Sequence, residues 1–287
     1  MVTIANYPKA EIEACLSVMV ELMTLLGEFR DHLVIVGGWV PYFLTGEKGT
    51  KHTGSLDIDL ALDFRNIPDV TYRTILQLMK KRGYEKNPQQ PFIFYRTIKD
   101  ETGSFIKVQV DFLAGEYGGT GKTHRTQKVQ DVRARKARGA DLAFQYNSMV
   151  KLKRRMPDGA ENEVIIKVAD AIPFLVMKGM AIWERYSEKD AYDVYFFIRN
   201  YQGGINQLVK HFQAHLSYSL IQEGLGKICA KFSTVDSPGP VWAANFLEID
   251  DEEEKERVKR DVFERVNVFL NALKIKPFKN RSRMEWQ

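Results

Sequence analysis

Between Pro8 and Phe29, Ile12, Leu16, Val20, Met23 and Leu26 recur every three or four residues, the period of an amphipathic helix that packs on the neighbouring strands. The pattern then changes. Leu33-Val34-Ile35-Val36 is a short β-branched run that stops at Gly37-Gly38, and Trp39, Val40, Tyr42 and Phe43 suit a brief helix with Pro41 in its first turn. After a glycine- and lysine-rich stretch from Gly46 to Gly54, strict alternation sets in. Leu56, Ile58, Leu60 and Leu62 fall on one face of a strand, and Asp57, Asp59, Ala61 and Asp63 on the other. A helix over 68–82 precedes two further strands, 92–98 and 105–113, joined by a turn at Lys99-Asp100-Glu101-Thr102-Gly103-Ser104. In the second of these, Ile106, Val108, Val110 and Phe112 share one face, which leaves Lys107, Gln109 and Asp111 on the other.

Downstream, Lys122 to Arg138 holds seven Lys/Arg against one acid and little periodic apolar content, so it reads as a loop or an irregular edge element. Residues 163–168 form a strand. Asp170 is placed to cap a helix over 171–185 with Pro173 in its first turn, and a second helix covers 188–201. Beyond Gly203-Gly204 the pattern predicts a helix over 206–232, a loop through Pro238-Gly239-Pro240, and a last helix over 252–273. The expected fold is therefore α+β: a mixed sheet with helices, followed by a mainly helical C-terminal domain. A chain of 287 residues supports about two domains, here 1–168 and 169–287.

Composition narrows the classes. Hydrophobic residues at 44 % and charged residues at 28 % exclude a collagenous, disordered or membrane-embedded chain. Cys15 and Cys229 are far apart and belong to no C-x-x-C or Cys/His pattern, which argues against a disulfide framework or structural zinc. No leader pattern and no long apolar run is present, so the expected location is the cytoplasm, without membrane. A net charge of +5 mildly favours anionic partners.

The candidate chemistry lies in the carboxylates. Asp57 and Asp59, one residue apart on a strand, point the same way, and like charges that close repel unless a cation sits between them. Asp111, on the polar face of a later strand, is a third carboxylate that could complete a two-metal site for phosphoryl transfer. Read alone, Asp-x-Asp is as easily solvated charge, and Gly37-Gly38 a plain tight turn.

The order of the parts is more specific. Val34-Ile35-Val36-Gly37-Gly38-Trp39, then Thr53-Gly54-Ser55-Leu56-Asp57-Ile58-Asp59-Leu60, then Lys178 followed by Lys189-Asp190-Ala191-Tyr192-Asp193-Val194-Tyr195, resembles the AbiEii/MenT-type nucleotidyltransferase toxins of type IV toxin-antitoxin systems, within the DNA polymerase β-like superfamily. The resemblance covers roughly residues 30 to 200. It implies magnesium, or manganese in its place, held by Asp57, Asp59 and Asp111; an NTP whose phosphates lie near Gly37, Gly38 and Ser55; Lys178 on the triphosphate; and Asp193 in the same pocket. It further implies tRNA as acceptor and a cognate antitoxin as partner. Two features depart from the family: the stretch 39–56 is longer than the compact pattern, with Gly46 to Gly49 able to absorb an insertion, and Lys51 and His52 stand where an arginine is common.

From spacing alone, Asp193 lies one helical turn from Phe196 and Phe197, so it should be partly buried and need a cation, Lys178 or Arg185. Lys189 and Asp193 also suit an ordinary surface pair. For the acceptor, Lys122–Arg138 and Lys151-Leu152-Lys153-Arg154-Arg155 could follow RNA phosphates. The acidic run Glu248–Glu256, seven acids and one lysine, would repel RNA and face solvent or a basic antitoxin. His211 and His215 lack the Glu of a His-Glu-x-x-His metal motif and read as helix surface. Transfer to a small molecule or a protein side chain, and a catalytically silent binding module, remain alternatives.

Overall fold

A computed structural model describes residues 2–45, 51–63, 66, 69–100, 102–115, 126–129 and 132–279. The stretch Gly46–Gly49, expected to absorb an insertion, lies outside them. The chain divides into two compact units, one of Tyr7–Gly46 and Thr50–Phe174 and the other mainly Leu175–Gln287.

The first unit is built on a mixed sheet. Its elements are α1 (Lys9–Leu25), β1 (Leu33–Ile35), α2 (Trp39–Leu44), β2 (Asp57–Leu62), α3 (Asp69–Lys81), β3 (Tyr84–Lys86), β4 (Ile93–Lys99), β5 (Phe105–Ala114), β6 (Thr126–Val129), β7 (Val132–Lys136), α4 (Leu142–Gln145), β8 (Asn147–Arg155) and β9 (Glu161–Ala169). The strand order is β3-β4-β5-β2-β1-β9-β8, with β7 also beside β5 and β6 beside β7. β2 and β5 run parallel, as do β1 and β9, whereas β1–β2, β4–β5 and β8–β9 are antiparallel. Of the predicted core, Leu33, Val34, Ile35, Ile58, Leu60, Val108, Val110 and Phe112 are buried, whereas Leu56 and Ile106 are half-buried and Ala61, expected on the polar face, is wholly buried. α1 is buried more fully than a one-faced helix, with Leu16, Val18, Met19, Val20 and Leu22 all at zero exposure. At about 1.5–3 kcal/mol for each large aliphatic side chain removed from water, this helix is a principal support of the sheet. It also buries a charge. Glu21 accepts from Arg82 Nε (2.8 Å) and from Arg96 Nε (2.7 Å) and Nη2 (3.2 Å), which ties α1 to β4 and to the residue that follows α3.

The fold adds strands to the sequence reading in three places. The hairpin β6–β7 occupies part of Lys122–Arg138, which is thus not simply a loop, and β7 pairs in parallel with β5 at Leu113↔Arg135; residues 122–125, 130 and 131 lie outside the described residues. Lys151–Arg155 belongs to a regular strand, β8, whose cations Lys151 and Lys153 are solvent-exposed and pair with Glu163 (2.8 Å) and Glu161 (3.8 Å) across the hairpin. The short strand β3 has no counterpart in the sequence pattern.

The second unit is helical: α5 (Ala171–Glu184), most of which lies in it, α6 (Glu188–Asn200), α7 (Gly204–Gln213), α8 (Ser219–Lys231), α9 (Pro238–Phe246) and α10 (Glu252–Ala272). Asp170 caps α5, its Oδ1 accepting from the Ile172 N–H at 2.9 Å. The single helix expected over 206–232 is two, broken between Gln213 and Ser219. Pro238-Gly239-Pro240 opens α9 and is not a loop, because proline fits a first helical turn whose N–H groups have no partner anyway. α5 and α8 cross very closely: a Cβ on Gly179 would stand 2.1 Å from the Gly224 carbonyl oxygen. Among the described residues no helix is long and apolar enough to cross a membrane.

Candidate active site

The parallel pairing of β2 with β5 sets Asp59 opposite Asp111 and Asp57 opposite Gln109. Register neighbours in a sheet share a face, and residues two apart on a strand share it too, so Asp57, Asp59 and Asp111 lie on one face of two adjoining strands. Asp57 and Asp59 are half-buried between the wholly buried Ile58 and Leu60, while Asp111 is only 3 % exposed.

Two neighbours hold these carboxylates. Ser55 Oγ donates to Asp57 Oδ1 at 2.6 Å, and Gln109 Nε2 donates to Asp111 Oδ1 at 2.8 Å. The sequence pattern places Gln109 only on the polar face; its spacing of two from Asp111 is the signal that they meet. Ser55, which the family resemblance places by the phosphates, stands buried against Asp57.

The turn after β1 is fitted to Asp59. Gly37 has φ +71°, a conformation L side chains rarely adopt, and a Cβ there would lie 2.2 Å from Asp59 Oδ2. Gly38 has ordinary helical angles (φ −66°, ψ −14°). The turn is fastened to β2 by the Val36 N–H donating to the Asp59 carbonyl (3.0 Å) and Trp39 Nε1 donating to the Asp57 carbonyl (2.6 Å). Gly37→Ala is therefore expected to strain the backbone and displace the Asp59 carboxylate, costing about 1–3 kcal/mol and most of any Asp59-dependent activity; urea denaturation beside an activity assay checks this. Cys15 contributes no nucleophile, since burial and the nearby Asp57 carboxylate push its thiol well up from its ordinary range.

An all-oxygen set of carboxylates suits a hard divalent cation, and the space left by the absent Gly37 Cβ keeps Asp59 in place for one. As the side chains stand, no three His, Cys, Asp or Glu among the described residues are gathered closely enough to hold a metal ion.

In the helical unit, Lys178 and Asp193 are brought together, and two further residues join them. Lys178 Nζ donates to Asp190 Oδ1 and Asp193 Oδ2, both at 2.6 Å; Lys189 Nζ donates to Asp193 Oδ1 at 2.7 Å. Arg185 reaches Asp190 Oδ2 through Nε (2.9 Å) and Nη2 (2.8 Å). Asp193 is fully buried, not partly, and the Lys189–Asp193 pair is interior, not surface. Arg185 serves Asp190, so the cations on Asp193 are Lys178 and Lys189. Asp190 and Asp193, three apart on α6, share a face, which is the signal for Asp190. Burial alone would lower the Lys178 pKa, but the Asp190 and Asp193 carboxylates hold it above its ordinary value. Burial and the Lys178 charge outweigh Asp193 at Lys189, whose pKa is lowered. Asp190, despite burial, is held below the usual carboxylate range by Lys178 and Arg185.

The first unit is thus an α/β layer with a carboxylate-bearing mixed sheet, and the second a helical assembly around a buried ionic network. No protein-family model and no curated protein matches the chain. Among solved structures, it is similar to JHP933 from Helicobacter pylori, with 12% sequence identity, a TM-score of 0.44, and coverage of 90% of this chain and 93% of that one. It is also similar to MenT4, a nucleotidyltransferase toxin from Mycobacterium tuberculosis, with 14% identity, a TM-score of 0.40, and coverage of 97% and 100%.

Proposed function

We propose that this chain is a magnesium-dependent nucleotidyltransferase, which moves a nucleoside monophosphate from an NTP to an acceptor hydroxyl and releases pyrophosphate. The observation that carries it is the alignment of Asp57, Asp59 and Asp111 on one face of two parallel strands, with Gly37 giving Asp59 its room. Asp57, Asp59 and Asp111 would hold magnesium, or manganese in its place, which would supply charge neutralisation to the phosphoryl oxygens. Asp111 takes the proton of the attacking hydroxyl, whose oxygen bonds to the α-phosphorus as the bridge to the β-phosphate breaks. Gly37, Gly38 and Ser55 border the phosphates by the motif resemblance, and Lys178 steadies the triphosphate with Asp193 in the nucleotide pocket.

The order of the sequence motifs further supports tRNA as acceptor, action as a toxin, and an antitoxin partner, and the seven Lys/Arg of Lys122–Arg138 are the candidate contacts to RNA phosphates. The test is transfer from each α-labelled NTP, with magnesium, into total tRNA by the full chain, followed on a denaturing gel. Label in tRNA from at least one NTP is the expected result. No label with any NTP, and no pyrophosphate with small-molecule or protein acceptors, overturns the reading.

A further inference from the structure

The helical unit carries an aromatic surface that the proposed chemistry does not use. Met180 and Trp183 lie on one turn of α5, and Lys227 and Lys231 on one turn of α8, two helices brought near by the Gly179–Gly224 crossing. Lys231 Nζ sits over both the Trp183 ring (5.5 Å to its centroid) and the Trp242 ring of α9 (5.3 Å). Trp242 meets Tyr186 at 4.8 Å, and Trp183 meets Phe278 at 5.3 Å, both edge to face. The result is a continuous row, Phe278, Trp183, Lys231, Trp242, Tyr186, lying within this unit.

The row is open to solvent. Tyr186 is 59% exposed, and Trp183, Lys231, Trp242 and Phe278 are half-buried. An edge-to-face pair covers one ring face and leaves others available for stacking. Phe278 is held by its N–H donating to the Gly226 carbonyl (2.9 Å), and it lies in the segment Lys274-Ile275-Lys276-Pro277-Phe278-Lys279, where Lys274, Lys276 and Lys279 are exposed and no acid occurs. The acids nearby are Glu184, next to Trp183; the buried Glu188, which the Tyr186 hydroxyl meets; and Glu223, which is paired with Lys227 at 2.8 Å.

Exposed aromatic faces interleaved with cations match unpaired nucleic acid, whose bases offer π-faces and whose phosphates offer charge; a duplex keeps its bases stacked inside and cannot use the rings. We propose that this row is a stacking platform for a single-stranded segment of an RNA acceptor. The word acceptor rests on the nucleotidyltransferase reading; the binding itself does not.

The experiment is fluorescence anisotropy of a labelled single-stranded RNA of about ten nucleotides, and of the same sequence as a duplex, titrated with the full chain without NTP. Tyr186→Ala and Trp242→Ala are each expected to weaken single-strand binding about 5- to 150-fold, the range for losing one stacked base. Tyr186→Phe, which keeps the ring, stays within about twofold of wild type, and duplex binds more weakly than single strand. Binding is read without NTP, so a failure of transfer leaves this result standing, and the reverse also holds. Tyr186 is exposed enough that its alanine variant keeps the native circular dichroism. The platform is overturned if both alanine variants, folded by that criterion, bind within about twofold of wild type, as they would were the row a protein contact. It is also overturned if duplex binds as well as single strand, or if Tyr186→Phe loses as much as Tyr186→Ala.

Discussion

Asp59→Asn is expected to reduce nucleotidyl transfer at least about a thousandfold, or about 4 kcal/mol of transition-state stabilisation, while leaving the fold intact. Asparagine has the same shape, so it still fits beside Gly37, and the Asp59 carbonyl that accepts from Val36 belongs to the backbone and is unaffected. What the substitution removes is one full negative charge from the face shared with Asp57 and Asp111. Initial rates with saturating NTP, set beside a thermal melt, read the two effects separately. A variant that retained more than about a tenth of the activity would remove Asp59 from the reacting centre.

Asp193→Ala is expected to cost about 3–5 kcal/mol of stability, enough to unfold a domain of ordinary stability or bring it close to that point. The carboxylate has no exposure, and each of its oxygens holds a lysine, so its removal takes a buried counter-charge from Lys189 and leaves Lys178 with Asp190 as its remaining carboxylate in this network. Lys189→Met should cost less, because Asp193 keeps Lys178. Urea midpoints of the two variants make the comparison. The same network sets an acid limit. Asp190 is lowered in the folded state, so its contribution is complete above the unfolded carboxylate range near 4 and disappears as pH falls through its folded value. Asp190→Asn should flatten that part of the stability curve.

The carboxylate face is legible in the sequence because alternation in a strand is a local rule. Asp57 with Asp59, and Asp111 on the face away from Phe112, can be assigned without knowing which strands pair. Their meeting depends on the parallel β2–β5 register, a long-range pairing that no local pattern encodes. β8 escapes detection because only Val150 and Leu152 mark its inner side, and Lys151, Lys153, Arg154 and Arg155 obscure the period with charge. Pro238-Gly239-Pro240 misleads for a different reason. Gly239 is required by the Phe232 ring, 2.6 Å from where its Cβ would stand, so the glycine reports packing and not a break in the helix. The ionic network is half-visible: spacing points to a buried Asp193 needing a cation, but whether Arg185 joins Asp193 or Asp190 depends on how α5 and α6 lie together.

The contact between α5 and α8 also bears on how kinship with this chain can be recognised. Where Gly179 meets the Gly224 carbonyl, even a methyl group has no room, so any descendant that keeps this helix spacing is confined to glycine at position 179, however far the rest has drifted. Most positions drift where packing tolerates it, whereas a residue permitted only one substituent changes last. A glycine one helical turn before Trp183, paired with a second on a later helix, is thus a durable mark by which remote relatives of this chain can be told from chance resemblances.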